Sequence, residues 1–297
     1  MDVHSIQNAY FSSYEDLEVH KLMLEDEPRT LTYRQAILRN KSYFKDKVVM
    51  DVGCGTGILS IFCALAGAKK VYAIEASNLA NLAKEIVKEN NFDNVIEVIH
   101  SKVEDVSLPN NVKVDAIVSE WMGFYLLHEG MLDSVLIARD KFLKDDGEMF
   151  PESAVIYIAP CATKSGSYQG LCLWFECNFP DLSSGKEEPR VILNTSPQSL
   201  PTHWKQTVIV LPQEQDVEEG EPIAFQLDMQ RDSVNGRRYN LQMTLLDPEE
   251  VEHPLPCSCH MTKCILTKAF MAQHAEHAMS ENATTDVVLE EEDIEDD

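Results

Sequence analysis

Residues 47–62 read Lys-Val-Val-Met-Asp-Val-Gly-Cys-Gly-Thr-Gly-Ile-Leu-Ser-Ile-Phe. The apolar run at residues 48–52 has the length of a strand, of the kind that is buried on both faces of a parallel sheet. Three glycines follow it and allow a sharp turn with no Cβ between backbone and ligand: Gly53, Gly55 and Gly57. The chain then continues as an apolar helix. A strand, a glycine turn and a helix in this order predict a small-molecule site at the carboxyl end of a sheet.

A carboxylate further along the chain makes this prediction more specific. Residues 70–75 read as the next strand, and Glu75 stands at its end, 18 residues after Gly57. An acid at this place can accept hydrogen bonds from both ribose hydroxyls of an adenosine. The alternative is a solvated acid at a strand end, but the spacing from the glycine turn favours ligand binding.

Strands and helices continue to alternate up to about residue 147, which predicts a doubly wound parallel sheet. The further elements are strands at 95–99 and 114–118 and helices at 78–90 and 128–143, with Asp145-Asp146-Gly147 ending the unit. From residue 148 short apolar runs separated by Pro, Gly and Asn predict an antiparallel β domain. These runs are 154–158, 171–175, 191–193, 207–211 and 239–246, and Asn235-Gly236 is typical of a hairpin turn.

Two helices are expected before the sheet. Asp16 can cap the first, which runs through Leu24, and the second covers residues 30–39, with Pro28 between them. This polar and aromatic segment is either a lid over the site or a helical pair packed on the edge of the sheet.

The charge balance excludes some partners and favours others. Fifty acids against 25 bases give a net charge of −25, which disfavours nucleic acid and favours basic partners. Residues 281–297 hold nine acids and no bases and are predicted to be disordered. Without a run of 18 apolar residues or a signal-peptide pattern, we expect a protein of the nucleus and cytoplasm.

The eight cysteines read as reduced thiols. Cys257-Ser-Cys259-His260 followed by Cys264 raises the possibility of zinc. The offset of two residues between Cys257 and Cys259 is not the usual structural-zinc spacing, and no second pair balances it. We therefore expect no metal site.

A pair of acids points to the chemistry. Glu120 follows the strand at 114–118, so it lies at the same edge of the sheet as the glycine turn, and Glu129 follows nine residues later. Two carboxylates that face one cavity repel each other unless a cation joins them, and a planar guanidinium offers donors to both. The alternatives are a loop acid at Glu120 and a first-turn helix acid at Glu129.

Together, these stretches resemble the protein arginine methyltransferases, in the type I pattern that forms asymmetric dimethylarginine. The resemblance runs from about residue 10 to 160 and again from about 171 to 246. It is carried by the glycine turn, Glu75, the segment 119–129, Thr202-His203-Trp204-Lys205-Gln206-Thr207 and the aromatic motif Tyr10-Phe11-Ser12-Ser13-Tyr14. It implies S-adenosylmethionine as cofactor and a doubly wound S-adenosylmethionine-binding sheet followed by a shortened antiparallel β-barrel-like domain.

The resemblance also implies a role for each matched residue. The cofactor would be held by His20, Met23, Arg29, Asp51, Gly53, Gly55, Gly57, Glu75, Val103 and Glu104. Within this set, Arg29 would pair with the cofactor carboxylate and Glu75 would bind the ribose. Glu120 and Glu129 would clamp the substrate guanidinium. The arginine pocket would be completed by Tyr10, Tyr14, Met131, His203 and Trp204. The alternatives are that Trp204 is simply a core residue and that His20 is a surface helix residue.

The chain departs from the family at one place. Only nine residues stand between Cys161 and Leu171, where the family has several tens of residues, including barrel strands and the arm that grips a partner subunit. We therefore expect unpaired strand edges and weak or absent dimerisation. The expected domains are a helical lid at 1–45, a Rossmann-like domain at 46–150, a truncated β-barrel-like domain at 151–250 and an extension with an acidic tail at 251–297.

Three functional hypotheses follow. The first is methyl transfer to arginine in histones and Arg/Gly-rich RNA-binding proteins, with a role in transcription regulation. The second is a catalytically weak or inactive truncated form that binds cofactor or basic peptides and regulates full-length relatives. The third, a nicotinamide-dependent oxidoreductase, rests on the glycine turn alone, and Ile58 occupies the place of the third fingerprint glycine.

Overall fold

The helices that precede the sheet are almost continuous in the computed structural model, which describes residues 16–162, 166–182, 189–218, 221–253, 259 and 261–282. They are α1 (Leu17–Glu25), α2 (Glu27–Arg39) and α3 (Lys41–Phe44). Asp16 caps α1 as predicted, since its carboxylate accepts a hydrogen bond from the Glu18 N–H at 3.0 Å. The second helix begins earlier than predicted, so Pro28 lies in its first turn, where the N–H that proline lacks has no helical partner.

The first half of the chain forms the predicted parallel sheet. Its strands are β1 (Val48–Val52), β2 (Lys70–Glu75), β3 (Ile96–His100), β4 (Val114–Val118) and β5 (Leu143–Phe150), in the order β3-β2-β1-β4-β5. Its helices are α4 (Ile58–Leu65), α5 (Leu79–Glu89) and α6 (Leu132–Phe142). Every pairing in this sheet is parallel, and β1 pairs with both β2 and β4. Four of the five β1 residues are buried, as the apolar run predicted.

The prediction of a helix at 128–143 was wrong at its start. Tyr125, Leu126 and Glu129 have φ angles of 45°, 72° and 76°, which are incompatible with a right-handed helix. The helix therefore begins at Leu132. The helix ends at Phe142, one residue before the predicted end, but Asp145-Asp146-Gly147 lies inside β5 instead of ending the unit.

The remaining strands are β6 (Ser153–Ala162), β7 (Ser167–Asn178), β8 (Ile192–Asn194), β9 (Thr207–Asp216), β10 (Ala224–Arg231) and β11 (Tyr239–Leu246). β6, β7 and β8 are neighbours in one sheet, β9 also pairs with β7, and β10 pairs with β11 in a second sheet. The β7–β8 pairing is antiparallel, as expected of this part of the chain. β10 was not predicted, although Phe225, Leu227 and Met229 alternate with polar residues.

The Asn235-Gly236 turn lies in the connection between β10 and β11. The Asp232 N–H donates to the Arg238 carbonyl, and the Arg238 N–H donates to the Asn235 carbonyl, both at 2.9 Å. The connection is therefore wider than the two-residue turn that the dipeptide usually makes. This width brings the next residue, Arg237, to the site described below.

The chain divides into two compact units. The first comprises Met1–Cys161, Gly170–Leu211 and Asp228–Leu241, and the second comprises Ala162–Gln169, Pro212–Leu227 and Gln242–Asp297. The second unit includes α7 (Thr262–Asn282). Among the described helices, none combines the length and apolarity that a bilayer crossing needs. The domain boundaries given above stay predictions, and the acidic tail from residue 283, Tyr10 and Tyr14 lie outside the described residues.

Candidate active site

The glycine turn after β1 adopts a backbone that favours glycine at each of its three positions. Gly53, Gly55 and Gly57 have φ angles of 73°, 55° and 90°, where a side chain would strain the backbone. The turn is tied to the end of β2, because the Gly53 N–H donates to the Ile74 carbonyl at 2.9 Å and the Gly55 N–H donates to Glu75 Oε2 at 2.9 Å.

Glu75 is held at the edge of the sheet by three donors. Its Oε2 accepts from the Gly55 N–H, and its Oε1 accepts from the N–H and the hydroxyl of Ser77, each at 2.8 Å. The residue is 9% exposed. Each carboxylate oxygen has two acceptor sites, so Oε2 keeps capacity for a further donor, such as a ligand hydroxyl.

A cavity of about 670 Å³ lies beside this turn, within the first unit. Its volume is that of a site for a ligand of nucleoside size or larger. Thirteen of the predicted site residues line it: His20, Met23, Arg29, Gly53, Gly55, Glu75, Val103, Glu104, Glu120, Glu129, Met131, His203 and Trp204. Residues far apart in sequence therefore meet at the carboxyl edge of the parallel sheet.

Two residues that were predicted to bind the cofactor, Asp51 and Gly57, are not among the residues that line the cavity. Asp51 is fully buried and accepts a hydrogen bond from the Ser60 hydroxyl at 2.7 Å, which links β1 to α4. Gly57 caps α4, and a Cβ there would meet Val87 at 3.7 Å. Both residues thus contribute to the packing behind the glycine turn.

Burial raises the pKa of Asp51 to about 7, although the hydrogen bond from Ser60 favours the ionised form. An unfolded Asp titrates near pH 4, so between about pH 4 and pH 7 only the folded state keeps this proton and the free energy of unfolding falls as the pH rises.

An Asp51→Asn variant has no carboxyl group to titrate here, so its free energy of unfolding should no longer fall between these pH values for this reason. Urea unfolding at a series of pH values measures the change. Asp93 is exposed, so the control variant Asp93→Asn should show the same pH dependence of stability as the unaltered protein. The same pH dependence in Asp51→Asn would contradict the raised pKa of Asp51.

Glu120 already holds a guanidinium of this chain. Its Oε2 accepts from Nε and Nη2 of Arg29 at 2.9 and 2.8 Å, and its Oε1 accepts from the Met122 N–H at 3.3 Å. The two charged side chains are 7% and 9% exposed. The sequence predicted that Arg29 pairs with the cofactor carboxylate. In the structure its guanidinium donates to Glu120, and its Nη1 also donates to the Met23 carbonyl at 3.1 Å.

Glu129 lies at the turn before α6 and is fixed through its backbone. Its N–H donates to the Arg237 carbonyl at 2.7 Å, and its carbonyl accepts from Arg237 Nη1 at 2.9 Å. Glu129 and Glu120 line the same cavity, so the two acids that the sequence singled out share one hollow.

The segment around His203 joins the cavity to the helices that precede the sheet. His203 Nδ1 lies 2.6 Å from Asp26 Oδ2, and the same oxygen accepts from the His203 N–H at 2.7 Å. Burial by itself raises the pKa of Asp26, but the hydrogen bonds from His203 and Arg29 outweigh it and hold the pKa below the ordinary value. Trp204 is 4% exposed and donates from Nε1 to the Met122 carbonyl at 2.9 Å, so it is a core residue as well as a lining one.

Two side chains pack directly on the glycine turn. A Cβ at Gly55 would lie 3.3 Å from His20 Cε1, and a Cβ at Gly53 would overlap the end of the Met131 side chain. Val103 and Glu104 also line the cavity. Glu104 accepts a hydrogen bond from the Ser134 hydroxyl at 2.6 Å, and Val103 is 4% exposed.

Several residues of the site were not predicted from the sequence. Arg237, Met122 and Phe124 line the cavity, and Asp26 positions His203. The signal for Arg237 was its place directly after Asn-Gly in a connection between strands, where side chains reach past the end of a sheet. Asp26 carried no signal in sequence, because its partner is 177 residues away.

Removal of the Glu75 charge tests the ribose end of the cavity. A Glu75→Gln variant is expected to bind the cofactor about tenfold to a hundredfold more weakly, because an amide replaces one acceptor oxygen by a donor that faces other donors. Isothermal titration with S-adenosylhomocysteine measures the change. Glu97→Gln, on the exposed face of β3, is the matched control. Equal cofactor affinities of the two variants would exclude a role for Glu75 in binding the cofactor.

Comparison with known proteins gives one consistent family. Residues 70–246 match a family described as the arginine methyltransferase oligomerization subdomain. The chain is 34% identical over 332 residues to the probable protein arginine N-methyltransferase 6.1 of Oryza sativa subsp. indica, covering 79% of this chain and 86% of the relative. It is 53% identical over 165 residues to protein arginine N-methyltransferase 1 of Caenorhabditis elegans, covering 55% of this chain and 47% of the relative.

Solved structures give the same result. The PRMT1 enzyme-prozyme heterotetrameric complex of Trypanosoma brucei with AdoHcy matches with a TM-score of 0.71 and 32% identity, over 81% of this chain and 97% of that one. Protein arginine methyltransferase 10 of Arabidopsis thaliana, in an open conformation, matches with a TM-score of 0.73 and 28% identity, over 80% and 100% of the two chains.

The alignment with the rice relative also bears on chain length. It runs over 332 positions, whereas this chain has 297 residues. The rice protein therefore carries segments for which this chain has no counterpart.

Proposed function

The chain belongs to the protein arginine N-methyltransferase family, and we propose that it forms asymmetric dimethylarginine in histones and in Arg/Gly-rich RNA-binding proteins. As a member of that family it is an S-adenosylmethionine-dependent methyltransferase that acts on arginine. The observation that carries the proposal is the cavity itself, in which Glu120 and Glu129 stand beside the glycine turn and Glu75.

The two acids activate the substrate nitrogen. A guanidinium has a pKa above about 12, so it is protonated and a poor nucleophile. Carboxylates against two of its nitrogens localise the positive charge there and leave the lone pair of the third more available. Arg29 occupies only Oε2 of Glu120, and a carboxylate offers about four acceptor sites, so Glu120 can accept from a second guanidinium while Arg29 stays in place.

The residues present fit S-adenosylmethionine. Gly53 and Gly55 line the cavity, and Glu75 follows the last glycine of the turn by 18 residues, close to the spacing at which a carboxylate binds a ribose. Val103 and Glu104 would flank the adenine, and His20 and Met23 would cover the cofactor from α1. When bound, the cofactor supplies an electrophilic methyl group on a sulfonium. The protein contributes by holding the substrate nitrogen in line with that group, which accounts for much of such a rate.

The surface charge supports basic substrates. With a net charge of −25, the protein attracts Arg-rich segments at long range and accelerates their encounter. Histone tails and Arg/Gly-rich segments are flexible and basic, so a single arginine can enter a recessed cavity. These substrates place the proposed activity in the nucleus and the cytoplasm, with transcription regulation as its consequence.

The test is methyl transfer by the purified full chain. Radiolabelled S-adenosylmethionine is supplied with a histone mixture and with an Arg/Gly-rich peptide, and the products are separated after acid hydrolysis. Asymmetric dimethylarginine is expected in both, and the same peptide with Lys in place of Arg should receive no label. Symmetric dimethylarginine or monomethylarginine alone would contradict the proposed product.

The second candidate is a regulatory form with little activity. The observation that favours it is the shorter chain, since its relatives carry segments that this chain lacks. A chain that binds S-adenosylhomocysteine but transfers no methyl group to any of these substrates would favour this candidate over the first.

The same shortening leads us to propose that the purified chain is mainly a monomer. The arm that the family uses for dimerisation is absent between Cys161 and Leu171, although the matched family region is an oligomerization subdomain. Sedimentation velocity at micromolar concentration is expected to give a monomer. A dimer that persists on dilution would contradict the proposal.

A further inference from the structure

Three side chains with metal-binding atoms meet in the second unit. His253 Nδ1 lies 3.2 Å from Cys259 Sγ and 3.2 Å from Cys264 Sγ. The three donor atoms lie within 4.8 Å of one another, and both cysteines are thiols. Cys264 is buried, and the other two side chains are half-buried.

The other ring nitrogen of His253 sets the tautomer. Nε2 lies 2.9 Å from the Pro248 carbonyl, which can only accept, so Nε2 carries the proton. The lone pair of the neutral ring then stands on Nδ1, on the side of the two sulfurs. A histidine that donates one ring N–H to a backbone carbonyl and presents the other nitrogen is the usual arrangement of a metal ligand.

We propose that His253, Cys259 and Cys264 bind a zinc ion. Tetrahedral zinc with Zn–N and Zn–S bonds of about 2.1 and 2.3 Å places nitrogen and sulfur about 3.6 Å apart. The two N–S distances here are within about 0.4 Å of that value, so small rotations of the side chains admit the ion. Two thiolates and one imidazole suit zinc better than magnesium or calcium, which prefer oxygen ligands. Solvent or another side chain supplies the fourth donor.

The spacing of Cys259 and Cys264 in sequence agrees with this site. Cys259 and Cys264 are separated by four residues, which is a usual structural-zinc spacing. The prediction of no metal site rested on the offset between Cys257 and Cys259 instead. His253 lies on the other side of Cys257, so the pattern becomes visible only when the chain is folded.

The ion would stabilise a part of the chain with little core of its own. Cys264 is 3% exposed, whereas the next two residues of α7, Ile265 and Leu266, are 53% and 63% exposed. The link that zinc makes between His253 and the first turn of α7 is reinforced by Lys263 Nζ, which donates to the Val251 carbonyl at 3.1 Å. Small units with few buried side chains commonly gain their stability from such a metal.

The first experiment measures the metal content of the full chain, purified without a histidine tag from zinc-supplemented cells. About one zinc per chain is expected. Cys264→Ser and His253→Asn should lose it, while Cys172→Ser, a half-buried thiol in β7, should retain it. Equal zinc in all four proteins, or none in the unaltered chain, would overturn the proposal. The readout does not depend on methyl transfer, so it is independent of the proposed activity.

A second experiment needs no variant and therefore avoids the problem of a variant that fails to fold. Metal-free unaltered protein is titrated with Co²⁺, and binding should release protons from the two thiols. A thiolate-to-cobalt charge-transfer absorption together with the visible bands of tetrahedral cobalt is expected and should disappear when zinc is added. If alkylation at the moment of lysis instead finds Cys259 and Cys264 joined in a disulfide, the proposal is wrong.

Discussion

A Glu129→Gln variant is expected to lower kcat for methyl transfer by about a hundredfold to a thousandfold, the usual effect of removing one preorganised electrostatic group. Glutamine keeps the shape of glutamate but cannot localise positive charge on a guanidinium. The change leaves the backbone intact, because the Glu129 N–H and carbonyl are bound to Arg237 whatever the side chain is. Initial rates with radiolabelled cofactor at saturating peptide give kcat.

Cofactor affinity distinguishes a local effect from general damage. Glu129 lies at the turn before α6, whereas Glu75 is held at the end of β2 by the Gly55 N–H and by Ser77, so titration with S-adenosylhomocysteine should give the same affinity in the variant and the unaltered protein. The control is Glu89→Gln, an exposed acid at the end of α5, which should not affect kcat. A Glu129→Gln enzyme as fast as that control would exclude the clamp of two carboxylates.

An Arg29→Met variant is expected to lose about 3–5 kcal/mol of unfolding free energy, because it leaves the Glu120 carboxylate buried without its cation. Both side chains are less than one-tenth exposed, so solvent screens the unpaired carboxylate only weakly. The double variant Arg29→Met/Glu120→Gln should recover most of the loss, since neither charge is then buried. Urea unfolding of the two single variants and the double variant completes the cycle.

The coupling between the two changes is the decisive quantity. If Glu120→Gln and Arg29→Met destabilise the protein additively, the pair contributes nothing beyond its separate groups. Arg139→Met serves as the matched control, because Arg139 pairs with Asp140 on an exposed helix face and should change stability little. Activity measured in parallel should be lost in any protein that lacks the Glu120 carboxylate, including the stable double variant.

The Arg29–Glu120 pair also shows how the site is assembled. Arg29 belongs to α2, which precedes the sheet, and Glu120 follows the fourth strand, 91 residues later. A buried pair in which two guanidinium nitrogens donate to Oε2 fixes the position of the acid, and Oε1, which accepts from the Met122 N–H, keeps capacity for a further donor. The same cation that stabilises the fold thus orients a group that the reaction needs.

Sequence alone predicted the part of the site that follows from local sequence patterns and from the parallel order of the strands. A strand, three glycines and a helix can bury their apolar side chains in essentially one way, and parallel strands bring their carboxyl ends to one edge. Gly53, Glu75 and Glu120 therefore came together as expected. The helix boundary at Leu132 was misplaced because the positive φ angles before it come from contacts with the β10–β11 connection, such as the one between Glu129 and Arg237.

The sequence by itself determined the family, the parallel sheet and the edge at which the ligand site forms, because apolar periodicity and glycine spacing act over a few residues. Only the tertiary structure decided that Arg29 binds Glu120, that Arg237 fixes Glu129 and that His253 meets Cys264. Each of these contacts joins groups whose separation in sequence carries no signal, and burial away from water is what selects one partner among many.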